Sequence, residues 1–548
     1  MKILVKLLVL AVLAAVSGNV WAQTTVWNGT RWSSGVPNAG THVVIDTGTV
    51  YSAAHLGGFV CRSLLLEPKA QLNVLGGQSV NVSFDITLSD SSLLFVGERS
   101  TVHSIKGSIN NHGTVELDGG SIIQSAERGG FLGGRNSLIR QRSRAEDSIP
   151  QVWSSPVQNF SLANFSFRED WAPVVLDENN RSWVTLTGNA LPGVGYVAWA
   201  PGKVTFSGVF NAGDIELGVH DLLPYRYSSG LTTLGNPYPS AIDVLAFMED
   251  NKWMIDGNVW VWDSENQRFL VLNFLNINTI ALAQGFFVRI RQDAYYDKAN
   301  KIVFRNTQRS NETAKFYRRE SADGQVLRLS LGQGKALDEL VVAFDQPFSL
   351  APDAGYDGEK LDLPLQPVAL SAVHGGAAYG TLALPERLLG QPGFALPLTV
   401  RVREAGWCQL SGTAEADGAN WQVLDRETGK VYPIGSGQAH SVYLAAGSHQ
   451  NRFFLRQGQP ASLANEATAG ARVYAHGRDL YVQPLAGAPE AAQVAIVSLT
   501  GQEVQRFEQV PAQSATAKLP VQVPASGLYL VRTVQGYRVQ TTKVWLER

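Results

Sequence analysis

A chain of 548 residues is long enough for about three or four domains, and with 45% apolar residues it can build a core in each. Charged residues make up only 17% and the net charge is −2, which excludes a protein that grips nucleic acid through a basic stripe. The two cysteines, Cys61 and Cys408, lack CxxC spacing and fall in segments read below as different domains, so neither a zinc or redox motif nor a disulfide is expected.

The N-terminus reads as an export segment. Met1-Lys2 and Lys6 form a short basic region, and Leu7 to Val16 is an apolar run of secretory length. Val20 and Ala22 then occupy the −3 and −1 positions, so residues 1–22 read as a signal peptide cleaved between Ala22 and Gln23. Retention as a membrane anchor is the alternative, but the run is shorter than the roughly 20 residues a bilayer crossing takes. No other stretch approaches that length, so no transmembrane span is expected in the mature chain.

Beyond this point the pattern is period 2. In "VNVSFDITL", Val80, Val82, Phe84, Ile86 and Leu88 alternate with polar residues, which predicts one strand with a buried and a wet face. Residues 24–145 repeat such short apolar pieces between turn formers such as Gly76-Gly77 and Gly119-Gly120. This suits a small β-solenoid, whose coils bury their apolar faces on one another, with a sandwich as the alternative. The repeats are too degenerate to fix a period. The stretch 128–150, Gly-rich and then Arg-rich, reads as a boundary or exposed loop. Its Gly129…Gly134-Arg135-Asn136 spacing lacks the Lys and Ser/Thr of a phosphate loop.

Residues 151–308 form an aromatic-rich β-module with one short helix predicted over 243–251, capped by Asp243. Residues 322–457 read as a β-sandwich module. The stretch 457–470, "QGQPASLANEATAG", has the small, polar composition of a flexible joint. Residues 471–548 hold six or seven short strands, the size of an Ig-like sandwich. The predicted fold class is therefore all-β: a solenoid-like unit, two β-sandwich modules and a C-terminal Ig-like sandwich.

The tail carries a resemblance. "VAIVSLTGQEVQRF" turns at Gly501-Gln502, a later turn holds Ser526, Gly527 and Tyr529, and the chain closes on a Lys-bearing strand from Lys543 to Leu546. This pattern, over about seventy residues, resembles the type A C-terminal sorting domain of cargo for the type IX secretion system of Gram-negative bacteria. Glycine at 501 and 527 would permit tight turns, and Tyr529 and Val531 share a strand face that can anchor the sandwich. The resemblance implies passage to the periplasm, reading of the tail by the secretion machinery at the outer membrane, its removal, and release or attachment to surface lipopolysaccharide. "LGNPYPSAIDVLAFMEDN", "VWVWD", "AQGFFVRI" and "GSINNHGTVELDGGSIIQSA" are similar to modules found in such cargo. These modules carry no known reaction, and no recognisable protease, glycosidase or lectin unit accompanies them.

Catalytic and ligand motifs are sparse. The nine histidines form no HExxH or His-x-His set, with His103 and His112 lying near each other beside turns, and no GxSxG elbow occurs. Carboxylates gather in "APDAGYDGEKLD": Asp353, Asp357, Glu359 and Asp362 are cation candidates outside the EF-hand spacing, with a hydrogen-bonded loop as the alternative, and Asp263 and Glu265 are a second such pair. Among thirteen tryptophans, Trp27 and Trp32 lie near the start and Trp253 near the strand of Trp260 and Trp262. Trp260 and Trp262 share a strand face and are the candidate glycan platform, or else core. The expectation is an exported cell-surface or extracellular structural or adhesive protein, without catalysis, cofactor or nucleic-acid partner. The alternatives are an adhesin with a defined glycan or matrix ligand, and an unrecognised hydrolase.

Overall fold

The computed structural model describes residues 23–548 apart from 128, 135–136, 143–148, 165–172, 178–181, 200–202, 220–229, 277–278, 298, 311–324, 362–365, 392, 415–419, 436, 459–471, 477, 484–491, 499–501, 511–515 and 536–537. The export segment through Ala22, the 128–150 stretch in part, Asp362, most of the predicted joint and Gly501 thus lie outside the described residues. The chain divides into two units, residues 1–320 with 354–366, and residues 321–353 with 367–548. The described secondary structure is overwhelmingly β, and no described helix is long and apolar enough to cross a membrane.

Residues 24–142 wind as a parallel β-solenoid with three faces. One face stacks Thr24–Trp27, His42–Ile45, Ser63–Leu66, Ile86–Leu88, Ile109–Asn111 and Phe131–Gly133. The second stacks Val50–Ser52, Gln71–Val74, Leu93–Gly97, Thr114–Asp118 and Leu138–Arg142. The third stacks Phe59–Cys61, Ser79–Val82, Thr101–Ser104 and Ser121–Gln124. Leu64 sits beside Ile86, Ile86 beside Ile109 and Ile109 beside Phe131, so a coil takes 22 or 23 residues at these rungs. Each strand gives its alternate apolar residues to the interior, where Val80, Val102, Leu94 and Val115 are buried.

The segment "VNVSFDITL" is two strands rather than one. Ser79–Val82 ends at a bend and Ile86–Leu88 begins the next face. Phe84, at the corner, is 39% exposed with the Arg62 guanidinium 4.8 Å from its ring centre. Corners also explain particular glycines. A Cβ on Gly107 would lie 2.3–2.5 Å from backbone atoms of Phe84 and Asp85 in the preceding coil, and one on Gly120 would lie 2.6 Å from the carbonyl oxygens of Val96 and Gly97.

The aromatic-rich segment continues the first unit. Lys203–Ser207 pairs antiparallel with the solenoid strand Leu138–Arg142, and Trp153, Phe160, Phe206 and Phe210 join the solenoid core. The segments 24–145 and 151–308 therefore share apolar interior as well as a sheet. Arg309 fastens them further. Buried, it donates to the carbonyl oxygen of Ile122 and to Gln124 of the solenoid, and to Ser240 and Asn306. Its guanidinium lies 5.1 Å from the Tyr238 ring centre. Burial pulls its proton affinity down to about 9; among the described residues the neutral acceptors just named, and not a carboxylate, hold it. The predicted helix forms at Val244–Asp250, and the Asp243 carboxylate accepts from the Ala246 amide at 2.9 Å.

In the second unit, one long sheet runs through the strands Val431–Ile434, Trp421–Asp425, Gly447–Gln457, Leu396–Val402, Val368–His374, Ala377–Pro385, Ala336–Asp345, Gln325–Gln333, Gly406–Ala414 and His440–Leu444, in that order. It curls until its ends approach, since the amides of Gly435 and Gly437 donate to the Gly412 carbonyl. The curl encloses a core that includes Phe344, Trp421, Leu398 and Phe453. The tail is a two-sheet sandwich: Arg472–His476, Asp479–Gln483 and Ala517–Pro520 face Glu503–Val510, Ala492–Val497, Gly527–Gln535 and Arg538–Leu546 across a separate core.

Candidate functional site

The residues singled out for chemistry do not converge. Among the described residues no three His, Cys, Asp or Glu side chains gather at metal-binding separations. Asp353 accepts from the Ser349 amide and hydroxyl in the second unit, whereas Asp357 and Glu359 belong to the first. His103 accepts or donates at 2.7 Å to Ser125, its pKa lowered by burial and by the charge of Arg309; His112 is exposed. Cys61 and Cys408 are both free thiols in cores, and burial pushes Cys61 up to about 12.

The tryptophan platform needs correcting. Trp260 and Trp262 are 1% and 5% exposed. Their strand, Ile255–Asp263, lies between two cores: Val259 and Val261 enter one, Trp260 and Trp262 the other. A strand covered on both faces reads as a continuous apolar run, and "VWVW" is one. Their indoles donate to the carbonyls of Glu359 and Pro150 at 2.8 Å. Trp27 and Trp32 pack with Tyr51 and Phe59 in an aromatic cluster at the first coil. Trp253 is 70% exposed but stands apart, with Lys252 near its face.

The carboxylate-rich loop has a different task. Residues 354–361 form a strap on the first unit. Phe274 donates its amide to Gly355, Asn273 its side chain to Tyr356, Asn258 to Asp357 and Trp260 to Glu359, all through strap carbonyls. Gly257 and Gly355 meet face to face at positive φ, where a Cβ on either would crowd the other or the Phe274 ring. Arg289 pairs with the Glu359 carboxylate at 2.9 Å and lies 3.8 Å from Asp256. Burial pushes the Asp256 carboxyl from 3.8 up to about 6, the Asn258 amide and Arg289 pulling the other way and Glu359 adding repulsion. A raised folded value favours the protonated form, so its stabilisation is present below the unfolded value and is lost as pH rises through about 6. The difference in thermal midpoint between wild type and Asp256→Asn should therefore shrink or reverse from pH 4 to pH 6.5 as the wild type loses stability relative to the variant. Parallel profiles across that window would contradict the assignment.

A cleft of about 360 Å³ opens beside the Trp262 strand, lined by Gln141, Gln151, Asp263, Glu265, Asn266 and Gln284. It brings Asp263 and Glu265 together, but Asp263 is committed to Asn266 at 2.8 Å and Arg268 at 3.2 Å. A general acid or base needs a carboxyl within reach of substrate; here one is already engaged by a cation.

A pair of exposed aromatics in contact lies in the second unit, on residues not singled out in the sequence. Trp407 is 65% and Tyr443 54% exposed. They sit directly opposite each other on Gly406–Ala414 and the edge strand His440–Leu444, ring centres 5.5 Å apart and planes at 76°. Next along the same face, Gln409 donates to Ser441 at 3.0 Å, and Thr413 follows. The signal was present: "GWCQLSGTA" places Trp407 in phase with Gln409, Ser411 and Thr413, opposite buried Cys408 and Leu410.

In the tail, Tyr529 and Val531 are buried on one face as expected, and the Tyr529 hydroxyl donates to the Ala525 carbonyl. Ser526 accepts from the Arg548 amide. The backbone amide of Gln502 donates to the Ser498 hydroxyl. Lys543 is exposed on the last strand. Gly527 departs from its expected role: its backbone is not in the left-handed region and a Cβ there would meet nothing within 4 Å.

Residues 17–275, just under half of the chain, match the model of a domain family of unknown function, DUF8693. No curated protein matches. A solved structure described as "Biofilm associated protein - BSP domain" aligns over 75% of this chain and 96% of its own at 10% identity, with a TM-score of 0.12.

Proposed function

We propose that this chain is an exported cell-surface or extracellular protein of a Gram-negative bacterium, structural and adhesive rather than catalytic, with residues 471–548 serving as its address for type IX secretion. One observation carries the reading. The tail has its own core, which takes up the motif residue Tyr529, while Gln502, Ser526 and Lys543 are exposed and Gly527, at the start of its strand, is half-buried outside it. Gly527 in particular meets no steric demand, which leaves its role to whatever reads the surface. The secretion machinery at the outer membrane is the proposed partner, with attachment to lipopolysaccharide after the tail is removed. The solenoid and the curled sheet then form the displayed body.

The mass of the mature chain tests this. Recovered from outside a host that carries the secretion system, the protein should begin at Gln23 and lack the terminal sandwich. Recovery only from the periplasm, with the sandwich intact, would overturn the reading.

A further inference from the structure

We infer that the face around Trp407 and Tyr443 is a binding site for neutral sugar rings. This deepens the adhesive part of the function proposed above and is independent of the export route.

Single exposed apolar residues need no explanation, but contiguous ones mark contact surfaces. Here two large rings touch in an edge-to-face pair, within the range of favourable aromatic geometry, and both still present much of their surface to water. The strand pairing fixes their backbones opposite each other, and the ring–ring contact narrows the rotamers left to both side chains before binding. A pyranose ring offers an apolar C–H face and a rim of hydroxyls. The aromatic pair suits the first. The second meets the Gln409–Ser441 pair, with hydrogen bonds in both directions between amide and hydroxyl, and Thr413 further along the strand.

Charge favours a neutral ligand. The strand beside Gly406–Ala414 presents Arg328 opposite Thr413, and Arg328 is paired with Glu339. The residues between it and the rings are hydroxyls, an amide and a glycine. Among the described residues of this strand face a polyanion would find no row of cations.

The test uses the purified full chain in native gels cast with dextran, mannan, xylan or β-glucan, and with heparin as an acidic control. At least one neutral polysaccharide should retard the wild type. Trp407→Ala and Tyr443→Ala should each lose about tenfold in affinity, the equivalent of about 1.4 kcal/mol. Trp253→Ala should migrate as wild type does. The exposed positions of Trp407 and Tyr443 predict unchanged thermal midpoints, which separates lost binding from lost folding. Free migration in all four neutral gels, retention that survives Trp407→Ala, or retardation by heparin alone would overturn the inference. So would a drop in light-scattering mass in Trp407→Ala without any glycan effect, because it would make the edge strand a protein contact. The assay needs no secretion, so failure here leaves the export reading standing, and failed export leaves this result intact.

Discussion

Trp260→Ala should destabilise the first unit by about 3–5 kcal/mol, the range for deleting a fully buried aromatic side chain. The ring fills a core with Trp262, Phe269 and Phe287, and its indole nitrogen donates to the carbonyl of Glu359 on the strap. The substitution removes a large packed volume and leaves a strap carbonyl without its donor. Trp407→Ala should change stability by no more than about 0.5 kcal/mol, as surface replacements generally do. Urea unfolding of the two variants separates them. Near-equal losses would mean that burial does not divide the tryptophans into core and contact groups.

Gly107→Ala should also cost about 1–3 kcal/mol or more, through overpacking. The added carbon would meet backbone atoms of Phe84 and Asp85, which have no rotamer to change. The coils must then separate at that corner, loosening Ile86–Leu88 against Ile109–Asn111. In a stacked repeat each coil leans only on its neighbours, so loss of protection in hydrogen exchange should concentrate around these two strands. Gly527→Ala is the matched control, with open space around the new carbon, and should stay within about 0.5 kcal/mol. Gly107→Ala as stable as wild type would contradict the coil stacking described above.

How far the sequence could be read follows from which interactions are local. Period 2 revealed strands, and the Asp243 cap marked its helix, because both are set by neighbours along the chain. Corners are not local: Phe84 fits the alternation of Val80 and Val82, yet the chain bends there, and the following coil packs Gly107 against the backbone of that bend. The solenoid period was hidden for the same reason, since its rungs need only an apolar residue every second position and no fixed motif. The strap was illegible because its partners, Asn258, Trp260 and Asn273, lie about a hundred residues earlier and mostly bind its carbonyls, which every residue has. The acidic side chains that drew attention there are incidental to most of those bonds. For the tryptophans, phase was the overlooked signal. Trp260 and Trp262 stand among apolar neighbours on both faces, whereas Trp407 occupies the polar phase of an alternating strand.

The most direct test of the central proposal compares the full-length chain with one ending at Gly470, both expressed in a host that has the secretion system. The measurement is digestion by protease added to intact cells. The account predicts that full-length protein is displayed and cleaved, while the shortened chain stays protected in the periplasm. Equal exposure of both would make the terminal sandwich an ordinary domain and remove the basis for the proposed route.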